Sequence, residues 1–392
     1  MSEFLAALKR RVLLCDGGMG SIAQATDLDV EKDYRGAENC TDVLNLSRPD
    51  FVLGVHKGYL DAGSDVLLTN SFGGSPITLA EFDLQDEVAA INRIAGELAR
   101  QAIESMASDG RQRFVLGSIG PGTRLPTLGH IGYDELEAAL RVQATGLLAG
   151  GVDAVLIETC QDPLQIKAAI NGVKLACEDA GIDVPILVQV TVETTGTLLV
   201  GADIAAAATI IDAMGVDMLG LNCATGPQEM SEHVKWLGEH WPKPISVQPN
   251  AGLPELVDGA PHYPLGAAEL ADWLRRFVRE DGINLIGGCC GTDVGHIAAL
   301  DAMLRDLAED GYRPAPAGRT PDWTPCVASL YSAVPYRQEN AVLSIGERCN
   351  ANGSKKFRQL QESGDWEACV EMGRDQVREG SHAIDVCTAF VG

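Results

Sequence analysis

No stretch of the 392-residue chain holds about 18 uncharged apolar residues in succession, so a membrane-spanning helix is excluded. Basic residues are also few: 30 Lys and Arg stand against 55 Asp and Glu, for a formal net charge of −25. A surface that acidic repels phosphate backbones and anionic headgroups, so neither nucleic acid nor a membrane is expected as a partner. Small molecules and other proteins remain. Aromatic residues make up only 5%, but apolar residues reach 46% and charged residues 22%, a balance that can bury a core and excludes global disorder. The length exceeds one ordinary domain and falls short of three. The opening MSEFLAALKRRVLLCDGG lacks the unbroken apolar run of a secretory leader, and a cytoplasmic location is expected. Eleven cysteines without export are then expected as free thiols or metal ligands, not a disulfide framework.

What is present is a repeated phrase, in which a short apolar run leads to a polar or Gly-rich tip and then to helical periodicity. Eight such runs occur: Val12–Cys15, Asp65–Thr69, Phe114–Ser118, Ala154–Glu158, Ile186–Val192, Met218–Asn222, Ile245–Gln248 and Asn284–Gly288. Helices are predicted between them at Asp134–Leu148, Pro163–Cys177, Ala267–Val278 and Val294–Leu307. Asp134 and Glu137 stand at capping-box spacing, and Gly150–Gly151 forms a stop. The count and size predict an α/β fold, a (β/α)8 TIM barrel over residues 1–310. The alternative, an open doubly wound sheet, usually carries GxGxxG after its first strand, whereas this chain has Asp16-Gly17-Gly18-Met19-Gly20.

Five prolines between Pro314 and Pro335 mark residues 311–340 as a linker. Regular patterning resumes at Ala341–Ile345, passes through an amphipathic helix near Trp366–Gly380 and ends in a strand at His382–Val386. One β-α-β unit leaves most of its apolar surface wet, so residues 341–392 read as the opening of an incomplete second β/α domain.

The most informative motif is Gly287-Gly288-Cys289-Cys290-Gly291-Thr292, where adjacent thiols sit on a bendable backbone at the end of the eighth run. Cys223 closes the sixth run, and in a barrel both ends face one mouth. Three thiolates with one open position fit a Zn2+ site. A vicinal disulfide is the competitor, disfavoured in a reducing compartment. An all-thiolate zinc activates water poorly but keeps an incoming thiol deprotonated and nucleophilic, so the expected reaction is attack of that sulfur on an electrophilic carbon.

Asp16 and Glu158 end two other strands of the same rim and would hold an ammonium group. The glycines at 17, 18 and 20 let backbone N–H groups approach a carboxylate. Together they would bind an amino acid bearing a thiol, although either acid alone could pair with a neighbouring Lys or Arg. The loops Thr69–Phe72, Gly117–Pro121 and Gln248–Gly252 are further rim candidates without an assigned role.

Taken in order, CDGGMG, LTNSFGG, SIGPG, LIETCQD, GLNC, QPNAG and GGCCGT resemble the homocysteine-binding barrel of the cobalamin-dependent methionine synthases. The resemblance implies that Cys223, Cys289 and Cys290 bind zinc and that homocysteine sulfur joins them. Substrate contacts are implied at Asp16, Gly17, Gly18, Glu158, Asn222 and Asn250, the last also able to occupy the metal when substrate is absent. The tail, SIGERCNANG with IDV further on, resembles the start of that family's pterin-binding domain, with Glu347, Asn350 and Asp385 at or near pterin positions. No Asp-x-His-x-x-Gly cobalamin motif occurs. The implied activity is methyl transfer to homocysteine from methylcobalamin, ultimately from methyltetrahydrofolate, with pterin and cobalamin domains supplied in cis or trans. The alternatives are a cobalamin-independent enzyme using S-methylmethionine or betaine, and a non-catalytic fragment.

Overall fold

Alternation of inward and outward side chains along each short strand builds the molecule's main body. In a computed structural model describing residues 2–106, 109–257, 260–309 and 311–390, eight parallel strands form one sheet. They are β1 (Leu13–Leu14), β2 (Val66–Leu68), β3 (Phe114–Ile119), β4 (Ala154–Cys160), β5 (Ile186–Val190), β6 (Met218–Asn222), β7 (Ile245–Gln248) and β8 (Leu285–Ile286). Each strand from β2 to β7 pairs with its successor, β8 pairs with both β7 and β1, and a bridge between Cys15 and Val66 joins β1 to β2. The ring is thus a nearly closed TIM-type barrel.

The two faces of the sheet separate cleanly by residue parity. Leu13, Val66, Phe114, Leu116, Ala154, Leu156, Leu187, Met218 and Leu285 point inward and share one core with Phe4, Ala7 and Leu8 of α1 (Glu3–Arg10), which plugs the N-terminal end. Leu14, Leu67, Val115, Val155, Val188, Leu219 and Ile286 point outward into a larger core. That core is covered by α2 (Met19–Ala25), α3 (Pro49–Asp61), α4 (Val88–Ser105), α5 (Tyr133–Ala149), α6 (Pro163–Ala180), α7 (Ile204–Ala213), α8 (Pro227–His240), α9 (Ala267–Arg276) and α10 (Val294–Leu307). Continuing the inward parity toward the C-terminal ends brings Ser118, Glu158, Gln189, Asn222 and Gln248 to the mouth, where period two replaces apolar with polar side chains.

Some local expectations change. Helix α5 begins one residue early with Gly132 at its N-cap, so Asp134 lies in the first turn and caps nothing. The capping box belongs to α10 instead, between Asp293 and His296. The first compact unit extends to Trp323, well into the proline-rich stretch. Two arginines account for this. Arg313 is buried, donating to Asp65 at 2.7 Å, Asp301 at 2.8 Å and the Gly63 carbonyl at 2.6 Å. Arg319 donates to the Trp241 and Lys243 carbonyls at 2.8 and 2.7 Å. Trp323 packs edge-on against Trp241 with ring centroids 5.6 Å apart.

The second unit starts at Thr324 and holds an antiparallel pair, β9 (Cys326–Ala328) and β10 (Ala333–Pro335). It continues into a parallel pair, β11 (Ile345–Asn350) and β12 (Ala383–Cys387), with α11 (Lys355–Glu362) and α12 (Trp366–Arg378) between them. The strand expected at Ala341–Ile345 begins where that run ends, because Ala341 and Val342 are exposed while Gly346 and Cys349 turn into the unit's small core. Helix α11, capped by Ser354, was not anticipated.

Candidate metal and substrate site

The sulfurs of Cys223, Cys289 and Cys290 all lie within 4.8 Å of one another at the C-terminal mouth of the barrel. Cys223 and Cys290 approach to 3.8 Å between Sγ atoms. Two sulfurs, each about 2.3 Å from a tetrahedral zinc, lie about 3.8 Å apart, so this spacing and the all-thiol donor set fit the metal that the sequence implies. The three are half-buried and not in disulfides, as are neither Cys15 nor Cys160, which pack in the barrel wall.

Backbone geometry brings these sulfurs together. Cys223 has φ 56° and Ala224 also has φ 56°, left-handed values that cost a non-glycine residue of order 1–2 kcal/mol each. They turn the chain sharply after β6. The turn is held by Cys223 N–H donating to the Gln248 carbonyl at 3.2 Å and Thr225 N–H to the Cys223 carbonyl at 2.6 Å. On the facing loop, Cys289 N–H donates to the Pro249 carbonyl at 2.9 Å, and Cys290 N–H to Asn250 Oδ1 at 3.1 Å. Asn250 therefore spends its side-chain oxygen on the cysteine loop. Gly291, at φ 76°, leaves room for Tyr263, since a Cβ there would come within 2.2 Å of the tyrosine ring.

The sulfurs line a cavity of about 320 Å3 that also contains Asp16, Gly17, Gly18, Glu158 and Asn222. Asp16 accepts from Leu68 N–H at 2.9 Å and from the Cys15 thiol at 3.4 Å. Glu158 accepts from Ser118 Oγ at 2.5 Å and from Asn222 Nδ2 at 3.1 Å. No ion pair among the described residues reaches either carboxyl, so the reading in which each serves a neighbouring Lys or Arg loses its support. Burial pushes the Asp16 carboxyl up to about 8, against the lowering effect of the Leu68 N–H. Burial likewise pushes Glu158 up to about 7 against the Ser118 hydroxyl. A cation beside either carboxyl would favour its ionised form.

Gly17 and Gly18 are required by close packing. A Cβ on Gly17 would meet Thr292 Oγ1 at 2.8 Å, and one on Gly18 the Cys289 carbonyl at 2.7 Å. The Gly18 N–H donates to Thr292 Oγ1 at 3.2 Å. Among the thiols, hydrogen bonds from Cys223 and Cys289 hold Cys290 below the ordinary range. Cys289 is pushed up by donating to its two partners and by burial.

Sequence reasoning overlooked Tyr263, which no motif marks, and Thr159, whose φ of 58° places its hydroxyl in the cavity wall. It reached the Ser118, Asn70 and Gln248 loops without a role for them. The structure gives Ser118 to Glu158, Asn70 to the Thr41 carbonyl and Asn45, and Gln248 to a buried amide contact with Gln189 at 2.7 Å. Glu347, Asn350 and Asp385 lie in the second unit. Asn350 Nδ2 donates to Asp385 Oδ2 at 2.8 Å, while Glu347 is exposed on β11.

The methionine synthases of Mycobacterium tuberculosis (strain ATCC 25618 / H37Rv) and Mycobacterium leprae (strain TN) are each 45% identical over 391 residues, covering 100% of this chain and 32% of their own length. The chain thus spans about a third of those relatives. Among solved structures, homocysteine methyltransferase MmuM from Escherichia coli in its oxidized form superposes with a TM-score of 0.62 at 24% identity, over 76% of this chain and 98% of that one. Its metallated form gives 0.61 at 24% identity, over 75% and 96%. Both show the same barrel fold. Residues 13–304, from β1 to the last turn of α10, match the model of the Homocysteine S-methyltransferase family, and the chain belongs to that family.

Proposed function

We propose that the barrel transfers a methyl group to the sulfur of homocysteine, giving methionine. The methyl group comes from methylcobalamin carried by another domain or chain, and ultimately from methyltetrahydrofolate. The observation that carries this reading is one cavity holding three convergent cysteine sulfurs and two buried carboxyls without ion-pair partners among the described residues. Cys223, Cys289 and Cys290 would hold Zn2+, which supplies a Lewis acid that keeps a substrate thiol deprotonated near neutral pH while leaving it nucleophilic. Asp16 and Glu158 receive the amino end of the substrate, and the Gly17–Gly20 segment at the start of α2 lies toward its carboxylate, with the Gly18 N–H already held by Thr292. Burial of both acids excludes bulk water from the ammonium contact and strengthens it. The thiol proton leaves to solvent before the sulfur–carbon bond forms.

The 45% identity to methionine synthases across the whole chain supports methylcobalamin over S-methylmethionine or betaine as donor. We assign residues 341–392 to the start of a pterin-binding domain, with Glu347, Asn350 and Asp385 on its first two strands. The parallel pairing of β11 and β12, and the exposure of Trp366, Val370, Val377 and Val386 beside it, support this assignment. The remaining pterin and cobalamin domains would be supplied in cis or trans. All eleven cysteines are free, which suits a reducing, cytoplasmic setting, and no helix among the described residues is long and apolar enough to cross a membrane.

The test is a donor assay on zinc-loaded protein with homocysteine, alongside the sulfur coordination number of the metal with and without it. Methionine from methylcobalamin, with one added sulfur on binding, is expected. Intact zinc without turnover would overturn the reading, and turnover with S-methylmethionine or betaine alone would redirect it.

A further inference from the structure

Asn222 closes β6 immediately before Cys223, and its side chain is 1% exposed in the cavity wall. Every polar atom of its amide is engaged by protein. Oδ1 accepts the N–H of Thr159 at 2.9 Å. Nδ2 donates to Thr159 Oγ1 at 2.8 Å and to Glu158 Oε2 at 3.1 Å, and stands 4.0 Å from Cys289 Sγ. An amide nitrogen has two N–H bonds, so no donor is left for a substrate.

The other oxygen of Glu158 is held by Ser118 Oγ, which comes from β3. Two donors from β3 and β6 thus grip opposite oxygens of one carboxyl on β4 and fix its plane. Each oxygen retains acceptor capacity beyond these bonds, and Glu158 lines the cavity. The same amide fastens the left-handed Thr159, so one side chain ties the end of β4 to the residue that precedes a sulfur ligand.

We propose that Asn222 is a positioning residue that orients Glu158 for recognition of the substrate ammonium and does not itself touch substrate. The assignment rests on homocysteine as the substrate. It predicts that loss of the amide damages recognition of the amino group specifically and leaves capture of the thiol intact.

Two thiols separate these effects: homocysteine and 4-mercaptobutanoate, the same thiol acid without its amino group. Calorimetry on the zinc-loaded chain would compare their dissociation constants in the wild type, in Asn222→Ala and in Asn222→Leu, which keeps most of the volume. The homocysteine constant is expected to rise about tenfold in both variants, the size of one charge-assisted hydrogen bond. The 4-mercaptobutanoate constant should move less than about twofold, with zinc stoichiometry unchanged. Ser118→Ala, removing the other grip on Glu158, should shift the ratio of the two constants in the same direction. Equal weakening of both thiols, or loss of zinc from both Asn222 variants, would overturn the proposal. Failure of the wild type to bind either thiol would instead defeat the homocysteine reading on which it rests.

Discussion

Cys223 and Cys290 belong to strand ends far apart in the chain, yet their sulfurs stand 3.8 Å apart, with the backbone of Cys223 in a left-handed conformation to permit it. The approach is too long for a disulfide, whose sulfurs lie about 2.0 Å apart, and suits two ligands of one tetrahedral ion.

Removing any one of the three sulfurs should abolish stable metal binding, because two thiols and a hydroxyl make a much poorer zinc site. Metal analysis of Cys223→Ser, Cys289→Ser and Cys290→Ser after dialysis against a weak chelator should give well under half the wild-type zinc content, with homocysteine binding lost in parallel. Full zinc retention in any of them would exclude that cysteine as a ligand.

Asp16→Asn should behave differently. Its carboxyl lies in the cavity, and among the described residues its hydrogen bonds go to Leu68 and Cys15 and to none of the three clustered cysteines, so zinc content should stay at the wild-type level while homocysteine binding weakens by about tenfold or more. Unchanged affinity would remove Asp16 from ammonium recognition.

The buried pair of Arg313 and Asp65 gives a stability prediction. Both side chains are fully buried, and Arg313→Met leaves Asp65 without its countercharge. Breaking such a pair costs about 3–5 kcal/mol. Urea unfolding should show a midpoint shifted accordingly. A loss below about 1 kcal/mol would mean that residues beyond Gly311 contribute little to the barrel.

His56 on α3 makes stability depend on pH. Neither ring nitrogen has a hydrogen-bond partner among the described residues, and burial pushes its pKa from 6.5 down to about 4. Because the folded value lies below the unfolded one, the unfolded chain binds the extra proton between these values. Stability present above pH 6.5 is therefore lost as pH falls toward 4, by at most roughly 3 kcal/mol from this one group. Metal-free protein should be compared with His56→Phe at pH 7 and pH 4.5, so that zinc release does not contribute. Parallel losses in both proteins would show that His56 is not the sensitive group.

The barrel was readable because short apolar runs alternate with helical periodicity eight times along the chain, and only the folded strands show inward and outward residues alternating with period two. The same alternation, carried one step past Leu156 and Gly220, sends Glu158 and Asn222 into a common space. The cysteine motif was readable because vicinal thiols between glycines have few other uses. Tyr263 and Thr159 were not readable. The first sits in a loop without periodicity and enters the site only because the fold lays its ring on Gly291 and its hydroxyl beside the Cys290 thiol. The second is an ordinary threonine until its backbone turns left-handed. The proline-rich stretch misled in part, since prolines report what the local chain cannot form and carry no information about Arg313 finding Asp65 far back in sequence.

The order of amino acids alone thus determined the alternating strand–helix architecture, the net acidity and the set of groups able to ligate metal, since each depends on residue type and local spacing. Tertiary folding alone decided which of eleven thiols converge, and that Asn222 serves Glu158 instead of solvent. It also decided that two carboxyls lie buried without an ion-pair partner among the described residues. Those properties depend on distances between strands that only closure of the barrel brings together, and on burial, which belongs to the assembled structure and to no single residue.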